Sequence, residues 1–171
     1  MRPWSGFFEV PPIEMGNLLT LAYERAWVDR EEGKPDETQS FQDPIMVAWM
    51  GLLAEWIGRQ LLEWPFDWGV TIKRADAMYR GYTVDIKSSQ GRDLHVRNSK
   101  NCTSKRCDLY LLISGMWPNG GYPEGWIHAR ELFVEGNLGK AVQEGLLPPY
   151  EMSGYDLHRI RDLEKLEEKN A

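Results

Sequence analysis

The sequence predicts a single α/β domain in which a central mixed β-sheet is flanked by α-helices. A long apolar helical segment, 43–64, is followed by two short β-like runs, 70–76 and 82–89, and then by the apolar run CDLYLLISG. A helical pattern that gives way to several β-like runs is typical of α/β proteins. The length of 171 residues favours one domain, 1–171, that is large enough to bury a sizeable core.

Composition sets limits on the class of protein and its location. A content of 42% hydrophobic and 27% charged residues is ordinary for a globular protein. No apolar run reaches the roughly 20 residues that span a bilayer, and the N-terminus lacks the pattern of a signal peptide. We therefore expect a cytoplasmic protein with no membrane partner. The two cysteines, Cys102 and Cys107, cannot complete a structural zinc site or a four-cysteine iron–sulfur cluster, so we expect reduced thiols.

The net charge of −6 is unevenly distributed along the chain. Segment 70–108 holds nine Lys and Arg against four acids. A basic segment in an acidic protein suits a localised phosphate-binding surface, because phosphate neutralisation drives affinity for nucleic acid. The alternative is a solvated hairpin face. The basic residues that we expect to contact nucleic acid are Lys73, Arg74, Arg92, Arg97, Lys100, Lys105 and Arg106.

The first elements occupy an N-terminal region, 1–42. Residues 1–14 are aromatic and proline-containing, which indicates an irregular arm. A first helix is expected from about Asn17, a good N-cap, to Glu32. The second helix has the clearest start in the chain, because Asp43 and Pro44 supply an N-cap and a first helical position.

The strands are predicted to follow this second helix. The runs 70–76 and 82–89 read as a hairpin joined by AMYRG, and 107–115 reads as a buried strand. GWIHA indicates a further strand, and RELFVEG a short helix or turn. At the C-terminus, apolar residues with helical spacing predict a helix over about 156–168; they are Leu157, Ile160, Leu163 and Leu166.

The run YTVDIKSSQG suggests a reactive site, because it carries an aspartate and a lysine two residues apart. Successive side chains on a strand point to opposite faces, so Asp85 and Lys87 share one face. Hairpin pairing would bring Asp76 beside Asp85, and two adjacent carboxylates repel unless a cation lies between them. Mg²⁺ prefers one or two carboxylates with water and phosphate, and Lys87 would orient or deprotonate a water beside it. The alternative is an ordinary solvated edge strand.

A third acid, Glu55, lies among apolar residues of the second helix. Gly51 and Gly58 flank it, and glycine in a helix interior suggests close approach of the helix to the sheet. On that side Glu55 would point at the sheet. The alternative is an ion pair with Arg59, four residues on, along a solvated stripe.

Other polar and aromatic residues are candidates for substrate contact. Ser88, Ser89 and Gln90 follow Lys87 directly and can hydrogen-bond a phosphate; the alternative is that they form the end of the strand and a turn. Most tryptophans are expected in the core, Trp27 among them. The aromatic residues expected nearest to substrate are Trp64, Phe66 and Trp68.

This ordered set resembles the PD-(D/E)XK nuclease superfamily, in particular its small phage and prokaryotic members. The likeness covers roughly 44–133: a helical glutamate, a hairpin aspartate, a D-x-K strand and the buried strand KRCDLYLLISG. Alanine, not proline, precedes Asp76. The resemblance implies a restriction-endonuclease-like core and a Mg²⁺- or Mn²⁺-dependent deoxyribonuclease. It also implies the catalytic residues Glu55, Asp76, Asp85 and Lys87, with metal ligands Asp76, Asp85, Glu55 and the backbone of Ile86.

Two other classes stay open at this point. A non-catalytic nucleic-acid-binding or scaffold protein could retain the same fold. An enzyme of different chemistry could carry a coincidental D-x-K triplet, in which case Glu55 would lie far from Asp85.

Overall fold

The computed structural model describes residues 6–31, 43–69, 75–96, 107–115, 118–140 and 147–169. Three α-helices lie in these ranges: α1 (Pro12–Glu31), α2 (Pro44–Leu61) and α3 (Ala129–Leu132). The strands are β1 (Phe8–Glu9), β2 (Ala77–Tyr79), β3 (Tyr82–Ser89), β4 (Asp93–Val96), β5 (Leu109–Ser114), β6 (Gly120–His128) and β7 (Tyr150–Ser153). The α/β class is confirmed.

The main sheet has five strands in the order β1-β6-β5-β3-β2. The β3–β5 pair is parallel and the other pairs are antiparallel, so the sheet is mixed, as expected. The predicted buried strand is confirmed, because every residue of β5 is buried. β3 lies between β2 and β5 and is therefore not an edge strand.

Helix α2 begins where the sequence predicts. The Asp43 carboxylate accepts a hydrogen bond from the Ile45 amide at 2.9 Å, and Pro44 occupies the first turn. The helix ends at Leu61, where Glu63 takes a positive φ of 55° and the Trp64 amide donates to the Arg59 carbonyl. One face of α2 packs on β3 so closely that a Cβ at Gly58 would lie 2.7 Å from Ile86 Cδ1.

Helix α1 begins five residues earlier than the predicted start at Asn17, and its N-terminal arm contains β1. Proline is tolerated in a first helical turn, so Pro12 does not delay the start. Leu18 and Leu21 pack in the core beside α2. The placement of Trp27 in the core is wrong, because α1 packs on one side only and leaves Trp27 63% exposed.

The connection of the hairpin is shorter than predicted. β2 starts at Ala77, inside the segment expected to be a loop, and residues 70–74 of the predicted strand lie outside the described ranges. The connection is a two-residue turn, Arg80–Gly81, with positive φ at both positions. Such a type I′ turn matches the twist of the strands but rarely carries arginine. The turn was therefore not predicted from the sequence.

The predicted C-terminal helix over about 156–168 is wrong. The chain forms short 3-10 turns at Gly154–Asp156 and Ile160–Lys165. Its apolar residues recur at a strict spacing of three, which suits a 3-10 helix with three residues per turn better than an α-helix. Ile160 and Leu163 are buried all the same.

A small second sheet of β4 and β7, which the sequence did not predict, covers the main sheet opposite α2. Its residues Leu94 and Val96 pack with Tyr110, Leu112 and Ile127 in a second apolar cluster. The main sheet thus has α1 and α2 on one face and the second sheet with α3 on the other. No helix in the described ranges is long and apolar enough to span a membrane.

Candidate active site

Strand β3 separates apolar from charged side chains by simple alternation. Val84 and Ile86 are buried in the cluster that contains α2, whereas Asp85 and Lys87 lie on the opposite face. There the Lys87 ammonium contacts the Asp85 carboxylate at 2.9 Å. Lys87 remains 35% exposed, so the pair lies in the middle of the sheet and still reaches solvent.

Asp76 lies beside Asp85 because of the hairpin. Its amide donates to the Val84 carbonyl at 3.0 Å, so Asp76 lies against β3 just before β2 begins, where Val84 pairs with Ala77. Its carboxylate accepts a hydrogen bond from the Ile86 amide at 2.7 Å. Burial, and then the charge of Asp85, raise the pKa of Asp76 to about 7. The charge of Asp85 therefore acts on the Asp76 carboxylate, and their joint binding of a cation stays a prediction.

The charge state of Lys87 limits what it can do. Burial alone would lower the Lys87 pKa, but the charge and hydrogen bond of Asp85, with Asp76 beyond it, raise this pKa above its ordinary value. Lys87 is then an ammonium group at neutral pH and has no lone pair to accept a proton. This state favours the expected role of orienting a water over that of deprotonating one.

Cys107 is a buried thiol that lies close to the same carboxylates. Burial, followed by the charges of Asp85 and Asp76, raises the pKa of Cys107 to about 11. A thiol with so high a pKa is protonated at neutral pH and is a poor nucleophile or metal ligand. Cys107 therefore contributes packing near the site rather than chemistry.

Glu55 is buried on α2 and held by two arginines. Its carboxylate contacts Arg59 at 2.7 Å and Arg25 of α1 at 3.1 Å. Arg25 also donates to the Gly69 carbonyl and Arg59 to the Pro65 carbonyl, which ties α1, α2 and the following loop together. The ion pair with Arg59 is present as the alternative interpretation expected, but it is buried and not solvated.

Glu55 also affects the candidate site, because its negative charge raises the pKa of Asp76 further. Both of its carboxylate oxygens are engaged by arginine. Its role as a metal ligand, like that of the Ile86 backbone, stays a prediction.

The carboxylates at this site fit a hard cation that takes only one or two of its ligands from the protein. In the ranges that the structure describes, no group of three or more His, Cys, Asp or Glu residues converges on one point. Asp76 and Asp85 form a pair of interacting carboxylates, and Mg²⁺ is commonly held by one or two carboxylates with water in its other positions. The pair therefore suits Mg²⁺ or Mn²⁺, whereas Glu55 would first have to leave its arginines.

The predicted nucleic-acid contacts are partly brought together at the end of β3. Ser88 and Gln90 are exposed there, and the Gln90 amide lies 3.5 Å from the Met50 sulfur on α2. Ser89 is half-buried, and Arg92 is exposed a few residues beyond it. The remaining predicted contacts lie outside the described residues; they are Lys73, Arg74, Arg97, Lys100, Lys105 and Arg106.

Three residues near this end of the sheet were not predicted from the sequence: Ser114, Glu124 and Tyr155. Glu124 accepts hydrogen bonds from Ser114 and Arg92, and Arg92 also donates to the Tyr155 hydroxyl. Glu124 lies in GGYPEG, which reads as a turn but forms part of β6, at an irregularity in the pairing with β5. Its role depends on that bulge, for which the sequence contains no local signal.

A cleft of about 480 Å³ opens at the other end of β3, between Tyr82, Cys107 and His128. The charged residues that line it balance, with Arg130 and Lys165 against Asp108 and Glu167. Burial lowers the pKa of His128, which keeps that side chain neutral at pH 7. The cleft therefore lacks the positive charge of a phosphate-binding groove.

Comparisons of the chain with models of protein families, with curated proteins and with solved structures gave no match. The residues Asp76, Asp85 and Lys87, with their contacts, are therefore the basis on which a function can be argued.

Proposed function

We propose that the protein is a nuclease of the PD-(D/E)XK superfamily that hydrolyses DNA phosphodiester bonds with Mg²⁺ or Mn²⁺. One observation carries the proposal: the Asp85 carboxylate contacts the Lys87 ammonium group within reach of solvent, and its charge acts on the carboxylate of Asp76. The order of elements supports a restriction-endonuclease-like core. Helix α2 with Glu55 precedes the β2–β3 hairpin, and β5 then pairs parallel to β3.

The reaction would be attack of water on phosphorus with cleavage of the P–O3′ bond. One proton of the water would pass to the leaving 3′ oxygen, so the products would be one strand end with a 3′ hydroxyl and one with a 5′ phosphate. A divalent cation held by Asp76 and Asp85 would supply positive charge to the phosphate and lower the pKa of a water. Lys87 would donate hydrogen bonds that orient the water and offset charge on a phosphate oxygen. Asp76, whose pKa lies near neutrality, would release its proton as the site fills.

A second candidate, a nucleic-acid-binding protein without catalysis, is favoured by the contacts of Glu55. If cleavage requires Glu55 to bind the cation, its ion pairs with Arg25 and Arg59 prevent that binding. The two candidates share a binding surface and differ only in chemistry.

A cleavage assay separates them. The parent protein is incubated with linear, circular, single-stranded and branched DNA, with Mg²⁺ or Mn²⁺ and in parallel with EDTA. Asp85→Asn keeps the shape of the side chain and removes the charge, so we expect it to abolish both cleavage and cation binding measured by calorimetry. Asp156→Asn, an exposed aspartate in a 3-10 turn, is the matched control. DNA binding without cleavage of any substrate would exclude the nuclease and leave the second candidate.

A further inference from the structure

Tyr155 is the most exposed large aromatic side chain among the described residues, at 80% of its surface. It lies in the 3-10 turn after β7, where the backbone holds it in place. The Gly154 amide donates to the Arg92 carbonyl at 2.7 Å, and the Tyr155 amide lies 3.4 Å from the Ser153 hydroxyl. The ring is therefore presented to solvent on a fixed turn.

Arg92 packs against this ring and is fixed from two sides. Its guanidinium carbon lies 5.2 Å from the centre of the Tyr155 ring, and it donates to the Tyr155 hydroxyl at 3.0 Å. Its Nε donates to Glu124 at 3.2 Å. Arginine has five N–H donors, the side chain is 57% exposed, and the remaining donors can bind a phosphate in a forked geometry.

Glu124 owes its position to a buried hydroxyl. Ser114, at the end of β5 and only 2% exposed, donates to the same Glu124 oxygen that accepts from Arg92. A carboxylate held in this way gives Arg92 a preferred orientation. Ser114 and Glu124 thus position Arg92, which in turn packs on Tyr155.

This network is continuous with the candidate active site. Ser114 pairs with Ser89 in the parallel β3–β5 ladder, and Ser89 lies on the same face of β3 as Lys87. Two residues along a strand span about 7 Å and the neighbouring strand lies about 5 Å away. Nucleic acid bound at Lys87 would need only a few nucleotides to reach Arg92 and Tyr155.

The chemistry of this surface indicates the form of the substrate. An aromatic ring stacks on any base and a guanidinium binds the adjacent phosphate, which together recognise a nucleotide without regard to sequence. A base inside a duplex already has neighbours on both faces. An exposed ring is therefore available only to a base that is outside a duplex stack.

We propose that Tyr155 and Arg92 form a subsite for one unpaired nucleotide, with Glu124 and Ser114 as positioning residues. The inference deepens the proposed function, on which it rests for the nature of the ligand. It specifies single-stranded DNA, or a strand splayed from a duplex, as the substrate that the protein prefers.

Binding without metal tests the subsite separately from catalysis. Fluorescence anisotropy with EDTA present compares a labelled single-stranded oligodeoxynucleotide, its blunt duplex and an abasic strand of equal length. We expect Tyr155→Leu to weaken single-strand binding roughly 10-fold and to leave duplex and abasic binding unchanged. Tyr155→Phe keeps the ring and should stay close to the parent. Tyr23→Leu, at an exposed tyrosine of α1, is the matched control.

Several outcomes would overturn the subsite. They are a parent that binds no single strand, a Tyr155→Leu variant that binds it like the parent, and equal losses for single strand and duplex. Glu124→Gln should weaken single-strand binding by a smaller factor than Tyr155→Leu, because it loosens Arg92 and keeps the ring.

Cleavage is scored separately with Mg²⁺ or Mn²⁺. Single-strand binding that depends on Tyr155, without cleavage, would support the subsite and exclude the nuclease. Cleavage by a protein whose single-strand binding is indifferent to Tyr155 would support the nuclease and exclude the subsite.

Discussion

At the scale of single residues, Asp85 and Lys87 are neighbours on one strand face, and the proposed function gives them different tasks. Asp85 carries the negative charge that a cation needs, whereas Lys87 contributes an ammonium group that Asp85 keeps protonated. A substitution at each position should therefore give a different pattern of losses. That difference distinguishes a reactive site from a structural ion pair, in which removing either partner has the same effect.

We expect Lys87→Met to lower the rate of DNA cleavage by roughly 100-fold or more while cation binding persists or increases. Methionine keeps the apolar stem and removes the ammonium, so a positive charge disappears from the neighbourhood of the cation. Cleavage kinetics and calorimetry with Mg²⁺ or Mn²⁺ measure the two effects. Lys165→Met, at an exposed lysine paired with Asp162, should behave as the parent. Normal cleavage by Lys87→Met would exclude a catalytic role.

Asp76 should make the stability of the metal-free protein depend on pH. Its pKa is about 7 in the folded chain against 3.8 as the ordinary value, so the folded state binds more protons than the unfolded state between these values. The free energy of unfolding therefore falls as pH rises through that window, by on the order of 4 kcal/mol for this group, and the loss is complete above it.

Asp76→Asn should remove this part of the pH dependence. Asparagine stays neutral and its oxygen can still accept from the Ile86 amide, so the variant should be more stable than the parent above the window and similar below it. Denaturant unfolding with EDTA, at pH values on either side of the window, measures the difference. Asp156→Asn should track the parent, and an Asp76→Asn curve parallel to the parent's would contradict the assignment.

At the scale of elements, helix α2, which carries Glu55, packs closely against β3 at Gly58. Both glycines that flank Glu55 were expected to mark close approach to the sheet. Gly58 confirms this expectation, because an added Cβ would lie 2.7 to 3.1 Å from three atoms of Ile86. For Gly51 the expectation is wrong, since nothing lies within 4 Å of such a Cβ.

We expect opposite effects from the same substitution at these two glycines. Gly51→Ala should stabilise the protein by about 1 kcal/mol, because alanine favours the helix and has room. Gly58→Ala should destabilise it by about 1 to 3 kcal/mol, since overpacking against Ile86 outweighs the gain in helix propensity. Thermal or denaturant unfolding measures both. Adding Ile86→Val, which removes the nearest atom, should recover part of the loss, and a stabilised Gly58→Ala would refute the close contact.

At the scale of the whole molecule, an acidic protein with the proposed function must concentrate its attraction for DNA in one region. The net charge is −6, whereas segment 70–108 has an excess of Lys and Arg. We expect DNA affinity to fall steeply with salt, and each phosphate contact removed to lower the slope of log affinity against log salt by about one.

The variant that tests this changes Arg97, Lys100, Lys105 and Arg106 to glutamine. Neutralising Arg159, Arg161 and Lys165 near the C-terminus is the control and should leave the slope unchanged. Anisotropy titrations over a range of salt concentrations measure both. An unchanged slope in the first variant would mean that the basic segment is only a solvated face.

Local patterns in the sequence were sufficient for several features. The Asp43–Pro44 start of α2, the buried strand β5 and the common face of Asp85 and Lys87 all follow from capping, apolar runs and alternation over a few residues. The 3-10 turns near the C-terminus were mistaken for a helix because apolar residues three apart satisfy both geometries within a short window.

Tertiary structure decided which of these local features meet. Asp76 lies beside Asp85 only in the register set by the Arg80–Gly81 turn, and Glu55 is paired with Arg25 from a helix 30 residues earlier. Arg92 likewise meets Glu124 and Tyr155 through the bulge in β6 and the turn after β7. Alternation and capping depend on neighbours in the chain, whereas these contacts depend on how distant segments pack, and no local sequence pattern specifies that.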